Sequence, residues 1–238
     1  MHIAAILGKK TPNAARNWMK ALRGLMKFCV EAELIEGHPT EGIKRARTPK
    51  TGGFHTWTEP EIAKYEARHP IGTCERLAEA LLLYTALGRS DIVRFGPQHV
   101  QGSRIELRKT ARLTGKTLRI AIHPALAEVI AGTPCNHLTF LVTANEKPLT
   151  APGFGNWFRE CCDAAGLPHC TAHGLRKAMF RRIAKAGGSV HHLKGVGGHA
   201  SLSELQVYTE DADQARLAQD AMDLVARAFP DKPGTQTG

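Results

Sequence analysis

The chain has 238 residues and carries 32 Lys and Arg against 22 Asp and Glu, a formal charge of +10 at neutral pH. That length accommodates one large domain with a smaller one beside it, and the cationic excess favours a polyanionic partner, most simply nucleic acid. No apolar stretch approaches membrane-spanning length and residues 1–10 lack the apolar core of a signal peptide, which argues against a membrane protein and predicts a cytoplasmic one.

In chain order, Thr11-Pro12 reads as an N-cap followed by proline in the first helical turn. Trp18, Leu22, Leu25 and Cys29 then recur at helical spacing, and Gly37 and Pro39 end the run. Residues 44–53 are basic and punctuated by Pro and Gly, a linker by composition that offers Lys44, Arg45, Arg47 and Lys50 to a phosphate backbone. Thr58 stands three residues before Glu61 in a capping box that opens the next helix. Leu77, Leu81 and Tyr84 mark a largely buried helix ending near Leu87.

Residues 103–108 and 117–122 alternate apolar and polar, predicting two strands of a small antiparallel sheet. A helix over 126–131, a short edge strand over 137–142 and a helix from Thr150 through Cys162 follow. Another helix begins near Ala172, Ser201 and Glu204 form a second capping box, and 212–229 reads as a final amphipathic helix. The expected fold is α+β and predominantly helical. The six cysteines form no C-x-x-C pair and read as reduced small hydrophobes. Cys162, His169, Cys170 and His173 crowd together in sequence, but their spacing fits no standard zinc pattern, so no metal is expected.

Chemistry concentrates between residues 171 and 209. Tyr208 supplies a hydroxyl nucleophile, Arg176 a permanently charged fork for phosphate oxygens, and His173 and His199 can donate or exchange protons. The order H-x-x-R, then Gly198-His199, then Tyr208 nine residues after that histidine resembles the C-terminal signature of the tyrosine recombinases, the phage-integrase family. Gly153–Phe158, His173–Lys177, Gly198–Leu202, Ala212–Leu217 and Gly53–Thr58 look like integrases of bacterial mobile elements. The likeness covers roughly residues 13–228.

The resemblance implies a truncated helical core-binding domain over 1–43, a basic linker over 44–55, a catalytic domain over 56–229 and a disordered tail from 230. It implies site-specific recombination or integration of double-stranded DNA, with Tyr208 forming a 3′-phosphotyrosyl link, Arg176 and His199 holding the scissile phosphate and His173 orienting and exchanging protons. Neither metal nor nucleotide cofactor is needed. A homo-oligomer on DNA, or a hetero-assembly with a full-length integrase, is the implied assembly.

Two positions depart from the family pattern. In Thr85–Asp91 the catalytic arginine position holds Gly88, and Arg89 falls on the position after it. Counting back from His123-Pro124, the catalytic lysine position holds Leu113, with Lys109, Arg112 and Lys116 around it. Lys109, Arg112 and Lys177 read as phosphate-contacting charges; Arg89 and Lys116 are the candidates to replace the missing groups. Three readings follow: a DNA-binding recombinase with impaired chemistry, a working recombinase that uses Arg89 and Lys116, or a non-catalytic regulator of a mobile element or of a full-length integrase.

Overall fold

Pro12 occupies the first turn of a 20-residue helix, where its missing amide would have had no intrahelical partner. In the computed structural model, which describes residues 2–43, 53–110, 115, 117–198, 203–210 and 214–229, the chain forms two units, Met1–Gly53 and Phe54–Gly238. The first holds α1 (His2–Gly8), which the periodicity did not announce, and α2 (Pro12–Glu31). Of the expected stripe, Trp18, Leu22 and Cys29 are half-buried and Leu25 is exposed, while Ala15 and Met19 carry the buried face. The helix stops before Gly37 because Glu33 turns left-handed at φ 55°. Its neighbour's amide, Leu34 N–H, bonds back to Cys29 O at 2.9 Å and closes the end. The linker residues Lys44, Arg45, Arg47 and Lys50 lie outside the described residues, as does the tail from 230.

In the second unit the capping box is present: Thr58 N–H donates to Glu61 Oε2 at 2.7 Å and Glu61 N–H to Thr58 Oγ1 at 3.4 Å, starting α3 (Glu59–Arg68). Thr73 caps α4 (Cys74–Thr85), which is buried almost all round. Such a helix needs cover on several sides, and it packs on α6 (Pro124–Gly132) and on α8 (Ala172–Lys185). Between α4 and α6 come the short α5 (Arg89–Ile92) and a three-stranded antiparallel sheet, β1 (Val100–Gln101), β2 (Arg104–Arg108) and β3 (Thr117–Ala121), in the order β1-β2-β3. Ile105 and Leu107 face Ile120 and Leu118 on the buried side, while Arg119 pairs with Glu106 at 2.8 Å on the solvent side.

No strand forms over 137–142. Phe140 and Leu141 are both buried, which breaks the alternation a half-buried strand requires, and the only pairing there is a bridge of Val142 to Pro148. Thr150 caps α7 (Ala151–Ala164) and Thr171 caps α8, each hydroxyl accepting an amide three residues on. The helices α9 (Val190–Gly197), α10 (Ser203–Glu210) and α11 (Gln214–Ala228) complete the unit. Ser201 and Leu202 are outside the described residues, so the second capping box is not described. Trp57, Tyr65, Phe154 and Phe158 stack in the main core. A satellite core of Ala86, Phe180, Leu193 and Leu205 joins α8, α9 and α10.

The strap of residues 54–57 leads into α3 and lies across the first turn of α8, where Gly174 leaves no room for a side chain. A Cβ at Gly174 would meet His55 O at 2.3 Å and Trp57 Cδ1 at 2.6 Å. Gly174→Ala should therefore lower stability by about 1–3 kcal/mol, the usual cost of overpacking, read as a fall in the urea midpoint. An unmoved midpoint would mean that the strap does not rest on α8.

Candidate active site

Arg176 lies in the second turn of α8 and is only 9% exposed. One of its nitrogens donates to Ala86 O and Nη2 donates to Gly197 O at 3.1 Å. Both acceptors are carbonyls at helix C-termini, which have no partner within their own helix. Ala86 caps α4 in the left-handed region at φ 49°, and Gly197 is the last residue of α9.

Lys109 reaches the same carbonyl. Its Nζ donates to Gly197 O at 2.8 Å and the side chain is buried. The sequence places it among surface phosphate contacts; the structure places it inside, directly after the last residue of β2. Burial first, and then the Arg176 charge, hold its ammonium below the ordinary lysine range, against the opposing pull of Asp91. Asp91 is itself buried, and its Oδ1 accepts from Thr110 N–H at 2.9 Å and Thr110 Oγ1 at 2.7 Å. It therefore pins the start of the β2–β3 connection to α5.

The ring of Phe180 connects Arg176 to Tyr208. The guanidinium carbon stands 5.3 Å from the Phe180 centroid, and the Tyr208 ring lies 5.4 Å from it at 57°. Tyr208 is half-buried on α10. Burial raises its hydroxyl pKa and the Arg176 charge works the other way, so the phenol holds its proton at neutral pH.

On the other side of Arg176 a pocket of about 200 Å³ opens between α4, α7 and α8, lined among others by Phe54, Gly88, Arg89, Gly155, His173 and Arg176. His173 stands at its mouth with its ring 4.9 Å from that of Phe54. Partial desolvation, then the charges of Arg176, Lys177 and Arg89, lower its pKa from the ordinary imidazole value. Arg89 opens α5 and lies against α7, where a Cβ on Gly155 would come within 2.5 Å of Arg89 Nη1. Around Gly88 a Cβ would meet nothing within 4 Å.

Of the expected site residues, the structure thus gathers Arg176, His173, Arg89 and Tyr208, together with Lys109, which the sequence reads as a phosphate-contacting charge. Lys177 lies beside them but donates to Phe54 O at 2.8 Å, steadying the strap. His199, Arg112, Leu113 and Lys116 fall outside the described residues. The Gly198 that precedes His199 ends α9 at φ 58°, and a Cβ there would crowd Leu118 Cδ1 at 3.1 Å and Lys109 Cδ at 3.2 Å. The backbone carbonyls of Ala86 and Gly197 could not have been found from side-chain motifs. Lys109 was hidden by its neighbours, being one of several cations along the same hairpin.

Residues 59–215 match the model of the phage integrase family. The chain belongs to that family. Tyrosine recombinase XerC 1 of Ralstonia nicotianae is 23% identical to it, over 88% of this chain and 71% of the relative. Tyrosine recombinase XerD of Xanthomonas campestris pv. campestris is 24% identical, over 85% and 69%. A solved lambda integrase dimer bound to a COC′ core site superposes with a TM-score of 0.71 at 19% identity, covering 89% of this chain and 64% of that one. The chain thus spans about two thirds of the length of these integrase-family proteins. The described helices and three-stranded sheet are the integrase-type fold that the sequence led us to expect.

If Arg89, His173 and Arg176 share one pocket, the His173 midpoint responds to the charge at position 89. A depressed midpoint means that the folded protein resists protonating His173, so this group's contribution to stability is present above its unfolded pKa, near 6.5, and is lost as pH falls through the folded value. Arg89→Glu should move the midpoint up, towards or past 6.5, in an NMR titration of the imidazole C–H signals. A midpoint that stays where it was would place Arg89 outside the pocket.

Proposed function

We propose that this integrase-family protein binds double-stranded DNA, as the lambda integrase dimer bound to its core site does, and cleaves one strand by attack of Tyr208 on a phosphodiester. The tyrosyl oxygen bonds to phosphorus, the phenolic proton leaves, and the bond to the 5′ oxygen breaks, leaving a 3′-phosphotyrosyl link. Arg176 is the fixed cation for the phosphate, and Arg89 stands in the same pocket as a second fork. Lys109 is the buried ammonium nearest this centre that could protonate a departing oxygen. In this reading residues 1–43 belong to a core-binding domain, 44–55 to a basic linker and 56–229 to the catalytic domain, and the protein works as an oligomer on DNA. The observation that carries the reading is the packing of both Arg176 and Tyr208 against Phe180, with the guanidinium anchored by two helix-end carbonyls.

The same reading makes the chemistry slow. Gly88 leaves open space where the family's arginine begins, and Leu113 stands at the usual lysine. Removing one donor that stabilises developing charge costs about 10²–10³ in rate, and removing a general acid about 10²–10⁴; Arg89 and Lys109 recover part of each. The second reading, a regulator that occupies DNA sites without cutting, draws on that same open space at Gly88.

A nicked suicide duplex carrying sequence from the DNA that flanks the gene separates the two. The expected result is a gel shift together with a slow covalent adduct that Tyr208→Phe abolishes and Arg176→Ala slows by about 10²–10³. Restoring Gly88→Arg with Leu113→Lys should accelerate adduct formation at least tenfold, a change of about 1.4 kcal/mol in barrier. A shift with no adduct from the unaltered protein, and an adduct from the restored variant alone, would establish the regulator instead.

A further inference from the structure

Next to the pocket, which Cys170 also lines, four side chains with metal-binding chemistry meet. His55 belongs to the strap, Glu61 to the first turn of α3, and His169 and Cys170 to the turn that enters α8. One ligand atom from each lies within 4.8 Å of all the others. His55 Nε2 stands 2.9 Å from Glu61 Oε1 and 2.8 Å from Oε2, and His169 Nε2 stands 2.6 Å from Oε1. The two imidazole rings meet edge to face with centroids 4.9 Å apart. The sequence suggests a different grouping, with Cys162 and His173. Cys162 is instead sealed in the main core and His173 faces the pocket, while His55 and Glu61 arrive from more than a hundred residues upstream.

We propose that His55 Nε2, Glu61 Oε1, His169 Nε2 and Cys170 Sγ bind a zinc ion. Two imidazoles, one carboxylate and one thiolate are a borderline-soft set of four, the number and type that a structural zinc takes. With bonds of about 2.0–2.3 Å, a tetrahedral ion holds its ligand atoms roughly 3.3–3.8 Å apart. The present separations, from 2.6 Å between His169 and Glu61 to an upper limit of 4.8 Å, bracket that range. A bound ion would push the short imidazole–carboxylate contacts apart and draw the thiol in. The thiol proton, and any proton on the ligating imidazole nitrogens, would leave to solvent.

Two further features suit an ion better than a hydrogen-bonded His–Glu–His triad. A triad makes no use of Cys170, which is fully buried beneath it. Both imidazoles are substantially solvent-exposed, 38% for His55 and 52% for His169, so the site has an open approach and a dry floor. Glu61 can serve the ion without undoing the helix start, because the capping contacts from Thr58 N–H and Oγ1 fall on its other oxygen, Oε2. The consequence is mechanical. An ion here would fasten the strap to the turn that enters α8, beside the existing peg of Trp57 Nε1 on Thr171 O at 2.9 Å. Phe54 of the strap and His173 of the first turn of α8, whose rings meet at 4.9 Å in the pocket lining, adjoin those two segments.

The test uses the full chain, stripped with chelator and reloaded with zinc chloride or cobalt chloride alone. We expect one tightly held zinc per chain. The cobalt form should show the intense visible bands of a tetrahedral site together with a near-ultraviolet thiolate-to-cobalt band. Cys170→Ser should remove the thiolate band, and His169→Gln, at an exposed position where folding is not at stake, should weaken zinc binding at least about tenfold, since even outer partners of metal ligands cost 10–100-fold when lost. Circular dichroism would confirm that both variants are folded. No zinc above background, a thiolate band that survives Cys170→Ser, or an affinity that His169→Gln leaves unchanged would each overturn the site.

Discussion

A guanidinium removed from water costs several kcal/mol unless its hydrogen bonds are replaced, and at Arg176 the replacements come from two helix ends. The last carbonyls of a helix lack partners and carry the negative end of its dipole. Ala86 and Gly197 supply such carbonyls from α4 and α9, so neither helix end is left wanting and the buried cation meets partial negative charge from two directions. The arrangement also joins the two hydrophobic clusters. The helix α4 runs through the main core, α9 belongs to the satellite core, and Arg176 spans the gap from α8, which serves both.

Placing Lys109 on the same carbonyl adds a second cation to an already positive centre. Arg176 lowers the lysine pKa, and Asp91 compensates only in part. Described side chains lining the neighbouring pocket include Arg89, Arg159 and Arg176 and no carboxylate. A protein that gathers cations around an anion-free cavity has set aside electrostatic energy that an incoming anion recovers. A phosphodiester is the anion that the cationic composition and the family both point to. In the reading proposed above, its arrival would stabilise the arginine forks, and Tyr208, whose phenol burial holds protonated, would need a base before it attacked.

How legible this was in the sequence depended on the range of the interaction involved. The start of α3 was readable because a cap acts over three residues: Thr58 and Glu61 form the capping box that their spacing announced, and Thr150 and Thr171 cap α7 and α8 in the same way. The β2–β3 pair was readable because one buried face imposes alternation. The edge strand over 137–142 failed because burial there follows contact with Phe95 rather than a sheet. Lys109 could not be told from its cationic neighbours, since only the placement of α9 decides which of them is swallowed. The juxtaposition of His55 and Glu61 with His169 and Cys170 was out of reach for the same reason: no local rule connects residues so far apart, and the strap that unites them crosses α8 at Gly174, where the absence of a side chain is the condition for crossing.

From sequence, Gly88 stands where the resemblance puts a catalytic arginine, and Arg89 on the next position looks misdirected because neighbouring residues of one helix point about 100° apart. The structure changes that argument. Gly88 is not within a helix: it is the extended N-cap of α5, at φ −83° and ψ 164°, and Arg89 is the first helical residue. The Arg89 side chain lies against α7 and lines the pocket. Its guanidinium settles beside Gly155, where an added Cβ would come within 2.5 Å of Nη1 and the arginine would have to shift. The two glycines act differently: Gly88 leaves open space around itself, and Gly155 gives the Arg89 guanidinium room to lie close to α7. The guanidinium at position 89 therefore faces the same cavity as His173 and Arg176.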